Sequence, residues 1–143
     1  MSEKVKKEIF EWIKVFALAI VFAFVITQFI KPTLVRGNSM YSTLEEGDYL
    51  IINRMSYKFG EPKRGDIIVF ESDLQQDDGT NKDLVKRVIG VSGDTIKIKD
   101  SKVYVNGKEL NEPYIHDEIT EGDIDTVVPE NSVFVLGDNR EIS

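Results

Sequence analysis

The sequence predicts a mainly β protein in which an N-terminal transmembrane helix precedes an all-β domain. Three observations carry that expectation: an unbroken apolar run near the N-terminus, an abrupt change of pattern after Pro32, and glycine-containing turns at short intervals from there on. The length of 143 residues suits one domain plus an anchor.

Every residue from 15 to 26 is apolar, and the run continues through Thr27 and Gln28 to Phe29 and Ile30 before Lys31-Pro32 stops it. Counted from Phe10, with Lys14 able to snorkel and Glu11 one turn before it, such a helix reaches about 30 Å, enough for a bilayer core. A buried core helix keeps a polar stripe, whereas this one is apolar all round. Lys4, Lys6 and Lys7 precede the run as they do in an export signal. The nearest small-x-small triplet, Gly37-Asn38-Ser39, lies well beyond it, so an uncleaved anchor is expected. Four lysines before the span against Lys31 and Arg36 after it put the N-terminus in the cytoplasm. The expected organisation is a cytoplasmic N-terminus and single-pass anchor in the cytoplasmic membrane over residues 1–31, and an extracytoplasmic β-rich domain over residues 32–143.

Past Pro32, short apolar or alternating runs read as strands over residues 49–53, 66–70, 84–91, 95–99, 102–105 and 132–136. Turns containing Gly with Asn or Asp separate them, among them Arg64-Gly65-Asp66, Ser92-Gly93-Asp94 and Gly137-Asp138-Asn139. The clearest hairpin joins 95–99 to 102–105 around Asp100-Ser101, with Lys97 and Lys99 on its solvent face. Residues 72–83 are polar and acidic and read as an exposed loop without chemistry. Met55, Tyr57 and Phe59 alternate as in a half-buried strand, or as in a face resting on lipid.

A net charge of -7 argues against general nucleic-acid binding, which needs clustered Lys and Arg. Without cysteine there is no disulfide, thiol catalysis or Cys-based zinc site. His116 is the only histidine and sits in a polar stretch, so a Ser-His-Asp triad is ruled out and no metal or cofactor set is visible. The residues carry no signal for an oligomeric state.

Ser39, in Gly37-Asn38-Ser39-Met40, follows the anchor closely; by itself it reads as a turn residue. Lys86 lies in the apolar run Leu84-Val85-Lys86-Arg87-Val88-Ile89. Strand alternation gives Lys86 one face and Arg87 the other, so one of the two cations must lie on the more apolar side. A buried lysine whose pKa falls from about 10.4 toward neutrality can serve a serine as base. A lysine that snorkels to solvent is the other reading of the same run.

Four blocks in order change that balance: Gly37-Asn38-Ser39-Met40-Tyr41-Ser42-Thr43-Leu44, Arg64-Gly65-Asp66-Ile67-Ile68-Val69-Phe70, Lys86-Arg87-Val88-Ile89-Gly90-Val91-Ser92-Gly93-Asp94 and Gly137-Asp138-Asn139-Arg140-Glu141-Ile142-Ser143. Behind an N-terminal anchor they resemble the motifs of bacterial type I signal peptidases, above all the single-span Gram-positive type, and the resemblance runs from the anchor to the last residue. It implies a signal-peptidase-like β domain that removes signal peptides from exported preproteins after small-x-small residues. The matching positions are Ser39 as nucleophile, Lys86 as general base and Ser143 as the serine supporting the lysine. Val35, Arg36, Met40, Leu44, Leu84 and Val85 fall on the positions that line the binding cleft. The implied partners are preprotein signal peptides and the lipid bilayer.

Two departures accompany the match. Gly37 stands where some members carry a hydroxyl two residues before the nucleophile, and Ser42 replaces a proline near Thr43-Leu44. The family also continues past the supporting serine, so a C-terminally incomplete, weakly active domain is expected. A related Ser/Lys protease acting on itself, or a non-catalytic anchored β-domain that binds signal peptides or a partner, are the alternatives.

Overall fold

The computed structural model describes residues 2–116 and 119–142. Helix α1, Glu3–Phe29, starts at Ser2, whose hydroxyl accepts a hydrogen bond from the Val5 N–H. Its 27 residues give about 40 Å of helix, and none of them is buried. With nothing among the described residues to cover it, its apolar surface calls for lipid.

Ile30 is already extended, Pro32 keeps Lys31 out of the helical region, and the chain enters strand β1, Ile30–Leu34, without a linker. Strand β2, Tyr49–Asn53, pairs antiparallel with β1, and Arg54 N–H donates to the Phe29 carbonyl at the helix end. The expectation for residues 49–53 is met; β1, shadowed by the apolar run before it, was not foreseen. Residues 55–59 are not a strand. Asn53 Oδ1 accepts from Met55 N–H, Lys58 N–H donates to Met55 O, and the short helix α2, Ser56–Phe59, results. Tyr49 and Ile51, on the ribbon that continues directly from α1, and Phe59, at the end of α2, are 85%, 76% and 86% exposed.

Strand β3, Ile67–Gln75, and strand β4, Asn81–Val91, form a long hairpin. The loop foreseen over residues 72–83 is therefore mostly strand. Gln76 N–H donates to Thr80 O and Gly79 N–H to Gln76 O, and Gly79 takes φ 80°, so only a tight turn remains unpaired. Both faces of this segment meet solvent, which removes the apolar alternation that marks strands, while Asp78-Gly79 is a hairpin signal that was there to be read.

Strands β5, Thr95–Lys99, and β6, Lys102–Val105, turn at Asp100 and Ser101, both at positive φ, as expected. Strand β7, Lys108–Glu109, extends that sheet on one side and strand β8, Ile124–Val127, on the other, in the order β7-β6-β5-β8. Strand β9, Val133–Leu136, pairs with β4 to give the order β3-β4-β9. The two sheets meet over Ile89, Ile96, Ile98, Val103, Val105 and Val128, with Phe134 and Leu136 packed against them.

Gly90 of β4 lies where the sheets come closest. A Cβ there would stand 2.5 Å from Ile96 Cδ1 and 3.3 Å from Val128 Cγ2, and Ile96 is fully buried. Gly90→Ala should cost about 1–3 kcal/mol through overpacking, read as a lower unfolding midpoint in detergent; an unchanged midpoint would show that Ile96 can move aside.

Candidate active site

Arg87 of β4 turns toward Asp138, which is completely buried. Its Nε and terminal nitrogen donate to the two carboxylate oxygens at 2.8 and 2.7 Å, a bidentate charge-assisted pair. A third donation reaches the Gly65 carbonyl at 3.0 Å, and the Tyr114 ring covers the guanidinium at 3.9 Å. Burial, and then the Glu112 carboxylate, pushes the Tyr114 phenol up to about 12, so that ring is a neutral lid. Asp138 also accepts from the Thr43 hydroxyl, and the neighbouring Asn139 N–H donates to the Ser39 carbonyl at 3.0 Å. One buried carboxylate thus joins the loop that carries Ser39 to the strand that carries Lys86. Arg140 braces the same segment from behind through Gly137 O, Thr120 and Glu112.

Lys86 faces the other way. It is half-buried and lines a groove of about 770 Å³ together with Ser39. Burial holds its pKa below the usual lysine range, with Lys82 adding repulsion of like charge. Among the described residues no carboxylate pairs with it. The choice left open by strand alternation is thereby resolved: Arg87 takes the anion, and Lys86 takes the groove.

The groove runs between β1 with the loop after it and the β3–β4 hairpin. Val35, Arg36, Met40, Leu84 and Val85 line it. Val35 and Met40 are buried, Leu84 and Val85 half-buried, and Arg36 exposed. Leu44 does not line the groove; it is half-buried and its N–H donates to Met40 O at 2.8 Å, which shapes the loop behind Ser39. Ser143 lies outside the described residues. His116 is exposed, its ring 5.9 Å from that of Tyr41. Gly37 sits at φ 83°, a conformation that favours glycine, so the position lacking a hydroxyl is one where a serine would be strained.

Sequence reasoning missed the far wall. Glu71, Leu74, Gln76, Asn81, Lys82 and Asp83 all line the groove from the hairpin that was read as a loop. It also missed Asp138 as the central anchor, because a buried aspartate in Gly137-Asp138-Asn139 looks like any turn.

The family model for signal peptidase, peptidase S26, matches residues 9–143. Signal peptidase I of Bacillus licheniformis is 40% identical over 153 residues, spanning 99% of this chain and 80% of its own length. Signal peptidase IB of Staphylococcus aureus (strain COL) is 38% identical over 157 residues, spanning 96% and 79%. A crystal structure of a signal peptidase I from Enterococcus faecalis V583 is 33% identical with a TM-score of 0.47, covering 59% of this chain and 82% of that one.

Asp138→Ala leaves Arg87 buried and unpaired and frees Thr43. A loss of about 3–5 kcal/mol is expected in chemical unfolding, and a loss below 1 kcal/mol would show that the pair is not the tie described.

Proposed function

Because the chain belongs to the signal peptidase family, peptidase S26, we propose that the groove is its proteolytic site, with Ser39 as nucleophile and Lys86 as general base. The observation that carries this reading is the half-buried Lys86, free of any carboxylate partner among the described residues, lining the same groove as Ser39. In that role the neutral Lys86 amine takes the proton of Ser39 Oγ as the oxygen attacks the scissile carbonyl. The resulting ammonium protonates the leaving amine, and the acyl-enzyme is hydrolysed by a water that the same amine deprotonates. No partner among the described residues takes the Ser39 N–H, which leaves it available to the developing oxyanion.

The substrates are preproteins whose signal peptides lie extended in the groove, with small side chains at the first and third positions before the cut. Residues 1–31 act as cytoplasmic tail and single-pass anchor, and residues 32–143 form the protease domain on the outer side of the cytoplasmic membrane. The excess of lysines before the span supports that orientation. The lipid bilayer is the partner of the exposed Tyr49, Ile51 and Phe59 surface, which follows the helix without a linker. The groove then opens at the bilayer surface, where a signal peptide emerges.

Ser39→Ala and Lys86→Ala should each lower kcat on a preprotein by about a thousandfold or more, with the fold retained by circular dichroism. Retention of near-full activity in either variant would exclude the assignment.

A pH profile tests the base itself. The lysine must be neutral to act, so kcat/KM rises with pH through the Lys86 pKa. Burial and then Lys82 keep that pKa low; Lys82→Gln removes the second influence, lets the pKa rise, and should move the acid limb of the profile to higher pH. A limb that stays in place or moves to lower pH would argue against Lys86 as the titrating base.

A further inference from the structure

The two walls of the groove are not hydrogen-bonded strand to strand: β1 pairs only with β2, and β4 lies between β3 and β9. One ion pair nevertheless crosses from wall to wall. Lys31 Nζ of β1 reaches Asp83 Oδ2 of β4 at 2.8 Å, with side chains 49% and 41% exposed. Both residues line the groove. Lys31 stands two residues beyond Phe29, where α1 ends, so this crossing marks the end of the groove nearest the membrane. Asp83 stands three residues before Lys86 on the same strand, about 10 Å away along the chain.

The place has a physical consequence. Between the pair and the Ser39–Lys86 end, the groove is lined by Leu34, Val35, Leu84 and Val85. These apolar side chains form a patch within a groove whose other lining residues are largely polar, and a charged pair across its mouth opposes the entry of acyl chains. The same pair stands in the way of a peptide entering from that side. Its exposure makes it weak, as a contact that must open and reclose has to be.

We propose that Lys31 and Asp83 form a strap across the membrane-side mouth of the groove, which an entering signal peptide opens, and that the pair thereby sets how readily substrate gains access. This rests on the groove being the peptide site. The neighbouring acid Glu71 accepts from Asn81 Nδ2 at 2.9 Å, across its own hairpin.

The test uses the full chain in uncharged detergent micelles and a peptide substrate without charged side chains in the segment before the cut. Lys31→Gln and Asp83→Asn should each lower KM by about two- to five-fold, and the double variant should lower it no further than either alone. Raising the salt from about 0.05 to about 0.5 M should lower KM for the parent chain and not for the variants. Exchanging the pair, Lys31→Asp with Asp83→Lys, should restore the parent KM, which separates loss of the pair from damage to either wall. A KM that is unchanged or raised in the single variants, effects that add in the double, or no restoration by the exchange would each overturn the strap. Lys86→Ala assayed alongside keeps the two readings apart: if that variant cleaves normally, the groove is not the active site, whereas an inactive Lys86→Ala with unaltered KM in the strap variants removes the strap alone.

Discussion

The arrangement of this site depends on a carboxylate that water cannot reach. Asp138 takes two hydrogen bonds from Arg87 and one from Thr43, and a buried charge of this kind persists only when its oxygens are satisfied by donors held in place. Each donor belongs to a different piece of chain. Arg87 is on β4, Thr43 is on the loop after Ser39, and Asp138 follows β9. The folded state therefore brings the Ser39 loop and the Lys86 strand together to satisfy that ion. Strand alternation turns the Lys86 side chain away from that of Arg87, and Lys86 lines the groove together with its β4 neighbours Asp83, Leu84 and Val85.

This explains which parts were legible in the sequence. Strands with one buried face announced themselves by alternation, as in Ile96 and Ile98 against Lys97 and Lys99, and the turn at Asp100-Ser101 followed. The apolar helix was equally plain, because nothing polar interrupts residues 15–26. Strands with two solvated faces gave no such signal, and the outer half of the β3–β4 hairpin is made of them. Strand β1 was hidden for the opposite reason, since Ile30 continues an apolar run that belongs to the helix. The site divides along the same line. Ser39 and Lys86 stood out through the order of four motifs, whereas the hairpin wall and Asp138 depend on contacts between segments far apart in sequence, such as Thr43 with Asp138, 95 residues apart.

The join between membrane and catalytic domain is the second constraint. Helix α1 passes into β1 with no intervening residue, and β1 is both one strand of the ribbon and one wall of the groove. Flexible linkers let a tethered domain tumble; a strand that begins where the helix stops does not. The ribbon bearing Tyr49 and Ile51 is thus held near the end of the span, with both side chains exposed. With the groove as the proposed peptide site, a substrate whose own apolar segment lies in the bilayer would meet it near the end of the span, so that anchoring would contribute orientation as well as proximity.

Charge bookkeeping inside the groove is the last condition on a lysine base. A carboxylate beside Lys86 would favour the ammonium and raise its pKa, which works against proton abstraction at neutral pH. Two acids, Glu71 and Asp83, line the same groove. Each is already engaged elsewhere: Glu71 accepts from Asn81, and Asp83 pairs with Lys31. A third acid, Asp138, is taken by Arg87. What remains near Lys86 is another cation, Lys82, and apolar side chains, and both push in the direction that frees the amine. Asp83 thus has its countercharge in Lys31 and Asp138 in Arg87, which leaves burial and Lys82 as the influences on the Lys86 amine.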